Sequence, residues 1–91
     1  MAYSLIYHPD VKDDIKKFDS KLKQRVAEAI EQRLTTEPEK YGKPLRKSLK
    51  GYWKLRVGDI RIVFKIQKSE IVVLAILNRK DVYERINKRI D

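Results

Sequence analysis

Between residues 52 and 64, polar and apolar side chains alternate along two arms that meet at Gly58-Asp59. A period of two marks a half-buried strand, and a glycine-containing two-residue break between two such runs marks a hairpin. A turn of that length fixes the pairing: Val57 opposite Ile60, Arg56 opposite Arg61, Trp53 opposite Phe64 and Tyr52 opposite Lys65. Successive side chains of a strand point to opposite faces. One face therefore gathers Trp53, Leu55, Val57, Ile60, Ile62, Phe64 and Ile66, a predicted core face that includes the only tryptophan. The other carries Tyr52, Lys54, Arg56, Arg61, Val63 and Lys65.

Elsewhere the period changes. Tyr3, Leu5 and Tyr7 alternate with Ser4, Ile6 and His8, which predicts a short first strand. After Pro9, residues Val11, Ile15, Phe18 and Leu22 recur at helical spacing, with Asp10, Asp13 and Asp14 near the end where the helix dipole favours acids. Asp19-Ser20 can break this helix and cap a second one, whose buried stripe would be Leu22, Val26, Ala29, Ile30 and Leu34. A helical hairpin is expected, one bent helix being the alternative. Residues 35–45 hold Pro38, Gly42 and Pro44 and read as a loop. After a polar turn at 67–70, residues 71–77 are continuously apolar, as befits a strand buried on both faces in mid-sheet. Asp81 can then cap a last helix with a thin stripe of Val82, Ile86 and Ile90. The expected fold is α+β and one domain over residues 1–91: N-terminal strand, helical hairpin, antiparallel three-strand meander and short C-terminal helix. The helices would cover the apolar sheet face and leave the basic face open.

Composition narrows the chemistry. The chain has 91 residues, enough for a single core without staples. With no cysteine, thiolate nucleophiles, disulfides and metal ligation by sulfur are excluded. The single histidine, His8, cannot form a metal site alone and reads as structural or exposed, so neither metal nor cofactor is expected. No apolar run is long enough to span a bilayer and the N-terminus does not resemble a signal peptide, so no membrane association and a cytoplasmic location are expected.

The formal net charge is +9, and residues 40–61 alone contribute +7, with eight basic side chains against Asp59. Such clustering is the footprint of a surface that meets a polyanion. Like charges directly opposed across a sheet destabilise it, so Arg56 facing Arg61 beside Lys54 implies a partner that uses the positive field, phosphate first of all. Nucleic acid is the leading reading; an acidic protein or a membrane surface would exploit the same charge. Lys40, Lys43, Lys47 and Lys50 suit backbone steering rather than chemistry. Asp13 and Asp14 point different ways on a helix and do not make a catalytic carboxylate pair.

Three segments carry a family resemblance: Pro44-Leu45-Arg46, then Gly51-Tyr52-Trp53-Lys54-Leu55-Arg56-Val57-Gly58-Asp59-Ile60-Arg61-Ile62-Val63-Phe64, then Asn78-Arg79-Lys80-Asp81-Val82-Tyr83. In this order and at this length the chain resembles the RelE branch of the RelE/ParE toxin superfamily, the toxin halves of type II toxin–antitoxin pairs. The resemblance implies ribosome-dependent cleavage of mRNA in the A site, on a ribosome whose 16S rRNA is also a contact. It further implies neutralisation by a cognate antitoxin, and a free toxin that is monomeric. Carried over by motif, the catalytic residues would be Lys54, Arg61, Arg79 and Tyr83, with Arg46, Lys47, Lys50 and Arg56 binding RNA phosphate. Tyr52 stands where some members have a further lysine.

These residue types suit that chemistry. RNA supplies its own nucleophile, the ribose 2′-hydroxyl, and needs charge stabilisation and proton transfer from the protein. Guanidinium groups bind phosphate bidentately and stay charged. Lys54 and Tyr83 are the candidate proton carriers, and Tyr83 could instead stack on a base. Plainer readings are an ordinary solvated sheet face for Lys54, Arg56 and Arg61, an Arg79–Asp81 pair, and a packing role for Tyr83. The alternative function on the same fold is a ParE-like, non-enzymatic inhibitor of DNA gyrase. A third is an inactive toxin that retains only antitoxin binding.

Overall fold

The computed structural model describes residues 3–46 and 51–89. Its frame is a five-stranded sheet in the order β1-β5-β4-β3-β2. The strands are β1 (Ser4–Tyr7), β2 (Lys43–Pro44), β3 (Tyr52–Val57), β4 (Ile60–Gln67) and β5 (Glu70–Asn78). β3, β4 and β5 form the expected antiparallel meander, and β1 adds to β5 in parallel. The hairpin register is as the two-residue turn dictates, Val57 to Ile60, Arg56 to Arg61, Trp53 to Phe64 and Tyr52 to Lys65. Gly58 takes φ +60°, a left-handed backbone that glycine adopts without penalty.

One helical layer packs on the predicted core face. It comprises α1 (Val11–Asp14), α2 (Ser20–Ala29), which widens into a π-turn at Ile30–Leu34, and α3 (Pro38–Tyr41). Val26, Ile30 and Leu34 meet Leu55, Ile62, Phe64, Ile71 and Val73, with Trp53 and Ile66 at the margin. Trp53 stacks on Phe64, ring centroids 6.4 Å apart. Asp19 caps α2 as expected, its carboxylate accepting from the Leu22 amide at 2.8 Å.

Three expectations need correction. The first helix is a single turn: bonds from Lys16 N to Asp13 O and from Phe18 N to Ile15 O curl the chain tightly into the Asp19 cap. Ile15 and Phe18 still reach the core from that turn. Residues 35–45 are not all loop, because Pro38, suited to a helix start, opens α3, and Lys43 and Pro44 pair with Lys54 and Trp53. Nor is the second sheet face fully open. The last helix, α4 (Val82–Arg89), lays Val82 and Ile86 on Val63, Ala75 and Leu77, with Leu45 beside them. These apolar residues, among them Val63 in the same row as Lys54, form a second, smaller core that removes them from water. Ile90 falls outside the described residues, as do Lys47 and Lys50.

The β4–β5 ladder slips between Val63 and Phe64: Val63 pairs with Ala75 but Phe64 with Val73, which leaves Leu74 as a bulge. Asp14 and Arg89 satisfy the disrupted backbone. The Ile76 amide donates to Asp14 Oδ2 at 3.0 Å, and Arg89 Nη1 donates to the Leu74 carbonyl at 2.9 Å. Arg89 also grips Asp14 with two bonds of 2.8 and 3.0 Å. Asp14 holds Arg89 in its charged form more firmly than usual, against the desolvation that opposes it. This pair ties α1, β5 and α4 together.

Candidate nucleic-acid interface

Register places the basic side chains. On the outer sheet face Lys43, Lys54 and Val63 form one row across β2, β3 and β4, and Arg56 and Arg61 form the next. Tyr41, Lys43, Lys54, Arg56 and Arg61 line one depression of about 210 Å³. Two of the predicted catalytic residues, Lys54 and Arg61, therefore share a wall with the predicted phosphate-binding Arg56. Among the described residues no carboxylate lines it. Four cations around so small a space form a strong attractor for a phosphodiester.

Arg61 is pre-oriented. Its Nη1 donates to the carbonyls of Gly58 at 2.9 Å and Ile60 at 3.1 Å, which anchors the guanidinium on the hairpin turn. A guanidinium has five N–H donors, so Nη2 and Nε remain for a bidentate contact with phosphate.

Tyr83, on the first turn of α4, lies beside the depression. Lys54 Nζ is 5.9 Å and Arg46 Cζ 5.7 Å from the centre of its ring. The hydroxyl is buried and closes no hydrogen bond of good geometry among the described residues. Arg46, as a donor to the phenolate, and the nearby charge of Lys54 outweigh desolvation and lower the Tyr83 pKa from the ordinary 10.0. Packing is part of its role, since it borders the second core.

Arg79 stands apart from the depression. Its amide donates to the Asp59 carbonyl at 2.9 Å, and its Nε lies 4.0 Å from the Asp59 carboxylate at the turn end of the sheet. The partner is thus Asp59 and not Asp81, because β4–β5 pairing brings the end of β5 beside the β3–β4 turn. His8 is structural, its Nδ1 accepting from the Asp10 amide at 3.0 Å. Among the described residues no group of three His, Asp or Glu side chains is placed to hold a metal ion. No described helix is long and apolar enough to cross a membrane.

Sequence reasoning missed Tyr41, and it assigned Lys43 to steering although that residue lines the depression. The signal available was the Lys40-Tyr41-Gly42-Lys43 run, an aromatic interleaved with bases.

Residues 5–83 match the family described as the ParE toxin of type II toxin–antitoxin systems, parDE. Toxin RelG of Mycobacterium tuberculosis is 30% identical over 87 residues, a match covering 93% of this chain and all of that protein. The chain belongs to the RelE/ParE superfamily, the toxins of type II toxin–antitoxin systems. Among solved structures, it is similar to the RelBE2 toxin–antitoxin complex of M. tuberculosis, with TM-score 0.80 and 27% identity over 87% of this chain and 100% of the matched chain. The RelB–RelE antitoxin–toxin complex of Methanococcus jannaschii shares the fold at TM-score 0.65 and 20% identity, covering 88% of this chain and 96% of that one.

Proposed function

We propose that this toxin is a ribosome-dependent endoribonuclease that cleaves mRNA in the A site and is neutralised by a cognate antitoxin. The observation that carries this reading is the convergence of Lys43, Lys54, Arg56 and Arg61 on one depression, with Tyr83 packed against Lys54. The antitoxin partner is supported by the RelBE2 and RelB–RelE relatives, solved as complexes.

In the proposed reaction the ribose 2′-oxygen attacks the adjacent phosphorus and the bond from phosphorus to the 5′-oxygen breaks. The products are a 2′,3′-cyclic phosphate and a 5′-hydroxyl. Tyr83, with its lowered pKa, accepts the 2′-hydroxyl proton. Lys54 protonates the departing 5′-oxygen. Arg56 and the anchored Arg61 stabilise the negative charge that builds on the phosphorane. Arg79, outside the depression, and Arg46, Lys47 and Lys50 hold the flanking backbone. All these steps use side chains of this chain and call on no metal. The ribosome presents the strand in the attacking geometry, so naked RNA is cut slowly or not at all.

Purified toxin added to ribosomes translating a defined message should yield 5′ ends within codons, mapped by primer extension. Arg61→Ala should reduce the rate by roughly 10²–10³-fold. Arg61→Lys should do nearly as badly, because an ammonium neither holds both turn carbonyls nor forms a fork. Intact message with wild-type protein would remove the nuclease reading. A second reading, ParE-like inhibition of DNA gyrase, is favoured by the matched family description. Loss of gyrase supercoiling with intact message would establish it instead.

A further inference from the structure

We infer that Tyr41 is a base-stacking platform that binds the nucleobase next to the cleaved linkage and sets a preference at that position. This deepens the nuclease reading and rests on it for the identity of the strand. Among the described residues Tyr41 is one of three large apolar side chains left exposed, at 43%. Its ring forms part of the wall of the depression that holds Lys54, Arg56 and Arg61. A single-stranded nucleic acid needs two things from such a surface: charge along the backbone and an aromatic face for an unstacked base. The depression supplies the first and Tyr41 the second, in adjacent positions.

The ring is held ready. Arg33 Cζ lies 5.8 Å and Lys40 Nζ 5.7 Å from its centre. Arg33 comes from the π-turn that extends α2, and Lys40 from α3 itself. These cations limit the ring's freedom and add charge for the phosphates on either side of a stacked base. Beneath it, α3 is pressed onto the core through Gly42. A Cβ there would sit 2.6 Å from Phe64 Cζ and 2.9 Å from the Pro38 carbonyl oxygen. The Gly42 amide instead donates to that carbonyl at 2.9 Å, which closes the helix against the sheet. Glycine is needed here for close approach, and the approach fixes where Tyr41 stands.

Arg56 continues the track. It lines the depression and also a second groove with Arg25, Gln32 and Arg33 around the edge of the sheet. A strand leaving the depression past Tyr41 meets guanidinium groups on both sides, and Glu28 is the only acid in that groove among the described residues.

The test uses a short single-stranded RNA carrying 2-aminopurine beside a 2′-deoxy linkage, which binds without being cut. With wild-type toxin in low salt, the fluorescence should be quenched as the probe stacks. Tyr41→Ala should lose the quench and weaken binding roughly tenfold, whereas Tyr41→Phe and Tyr41→Trp keep both. Tyr7→Ala, which removes an exposed tyrosine from β1, should behave as wild type. Equal quench and affinity in Tyr41→Ala overturn the platform, as does a wild-type toxin that leaves the probe unbound. On translating ribosomes, Tyr41→Ala should still cut within codons but with a flattened base preference. Tyr41-dependent quenching by a toxin that leaves translated message intact would keep the platform and remove the nuclease reading.

Discussion

The Tyr83 hydroxyl is buried beside Arg46 and Lys54 and has no good acceptor among the described residues, an arrangement that favours loss of its proton. Arg46 and Lys54 both stabilise the phenolate, so at any pH below 10.0 more of it exists than for a free tyrosine. Difference ultraviolet titration of wild type against Tyr83→Phe should resolve one phenol ionising below 10.0. Arg46→Ala should move that ionisation back upward, since the largest stabiliser of the phenolate is gone. Cleavage should rise with pH and level off at the same lowered value in the wild type, and the rising limb should vanish in Tyr83→Phe. A tyrosine that merely packs would titrate in the same place without shaping the rate. The sequence named Tyr83 as a candidate but not its environment. The residues that set it, Arg46 before the hairpin and Lys54 within it, are distant in the chain and meet Tyr83 only because α4 folds onto the sheet.

At the scale of elements, the Asp14–Arg89 pair decides whether α4 stays in place. Both side chains are largely withdrawn from solvent, at 3% and 12% exposure. Removing Asp14 leaves the largely buried Arg89 guanidinium with the exposed Asp10 carboxylate, 3.7 Å from its Nε, as its remaining ion-pair partner among the described residues, and also strips the Ile76 amide of its acceptor. Asp14→Ala should therefore cost about 3 kcal/mol of folding stability, read as a fall in the denaturant midpoint. Adding Arg89→Ala should recover part of that loss, because the stranded charge goes with it. The β3–β4–β5 meander, the hairpin register and both faces of β3 were legible from alternation, polar breaks and one two-residue turn. The bulge at Leu74 was not: it lies in a run of consecutive apolar residues, where an extra residue leaves the pattern unchanged. Asp14 read as one of several acids favouring a helix start, and nothing local pointed to a partner 75 residues away. The single-turn α1 and the α3–β2 connection were also hidden, since segments of two to four residues are too short to show a period.

Across the whole molecule, charge separates attraction from chemistry. Most of the net +9 comes from residues 40–61, and the β2–β3–β4 pairing gathers Lys43, Lys54, Arg56 and Arg61 on one face. Binding to RNA through such a face releases counterions, so log affinity should fall linearly with log salt at a slope of about 0.7 for each phosphate engaged on a single strand. Lys43, exposed on the short edge strand β2, attracts the backbone without holding a proton or a base. Lys43→Gln should shallow the slope by about one phosphate's share and weaken all sequences alike, measured by titrating the non-cleavable RNA at several salt concentrations. It should not change which bonds are cut, whereas Tyr41→Ala should change the choice of bond with little effect on the slope. An acidic antitoxin competing for the same face would show the same salt sensitivity. Only RNA, however, makes base preference depend on one side chain while salt dependence rests on another, because a protein partner has no repeating phosphate for Lys43 to neutralise independently of what Tyr41 stacks upon.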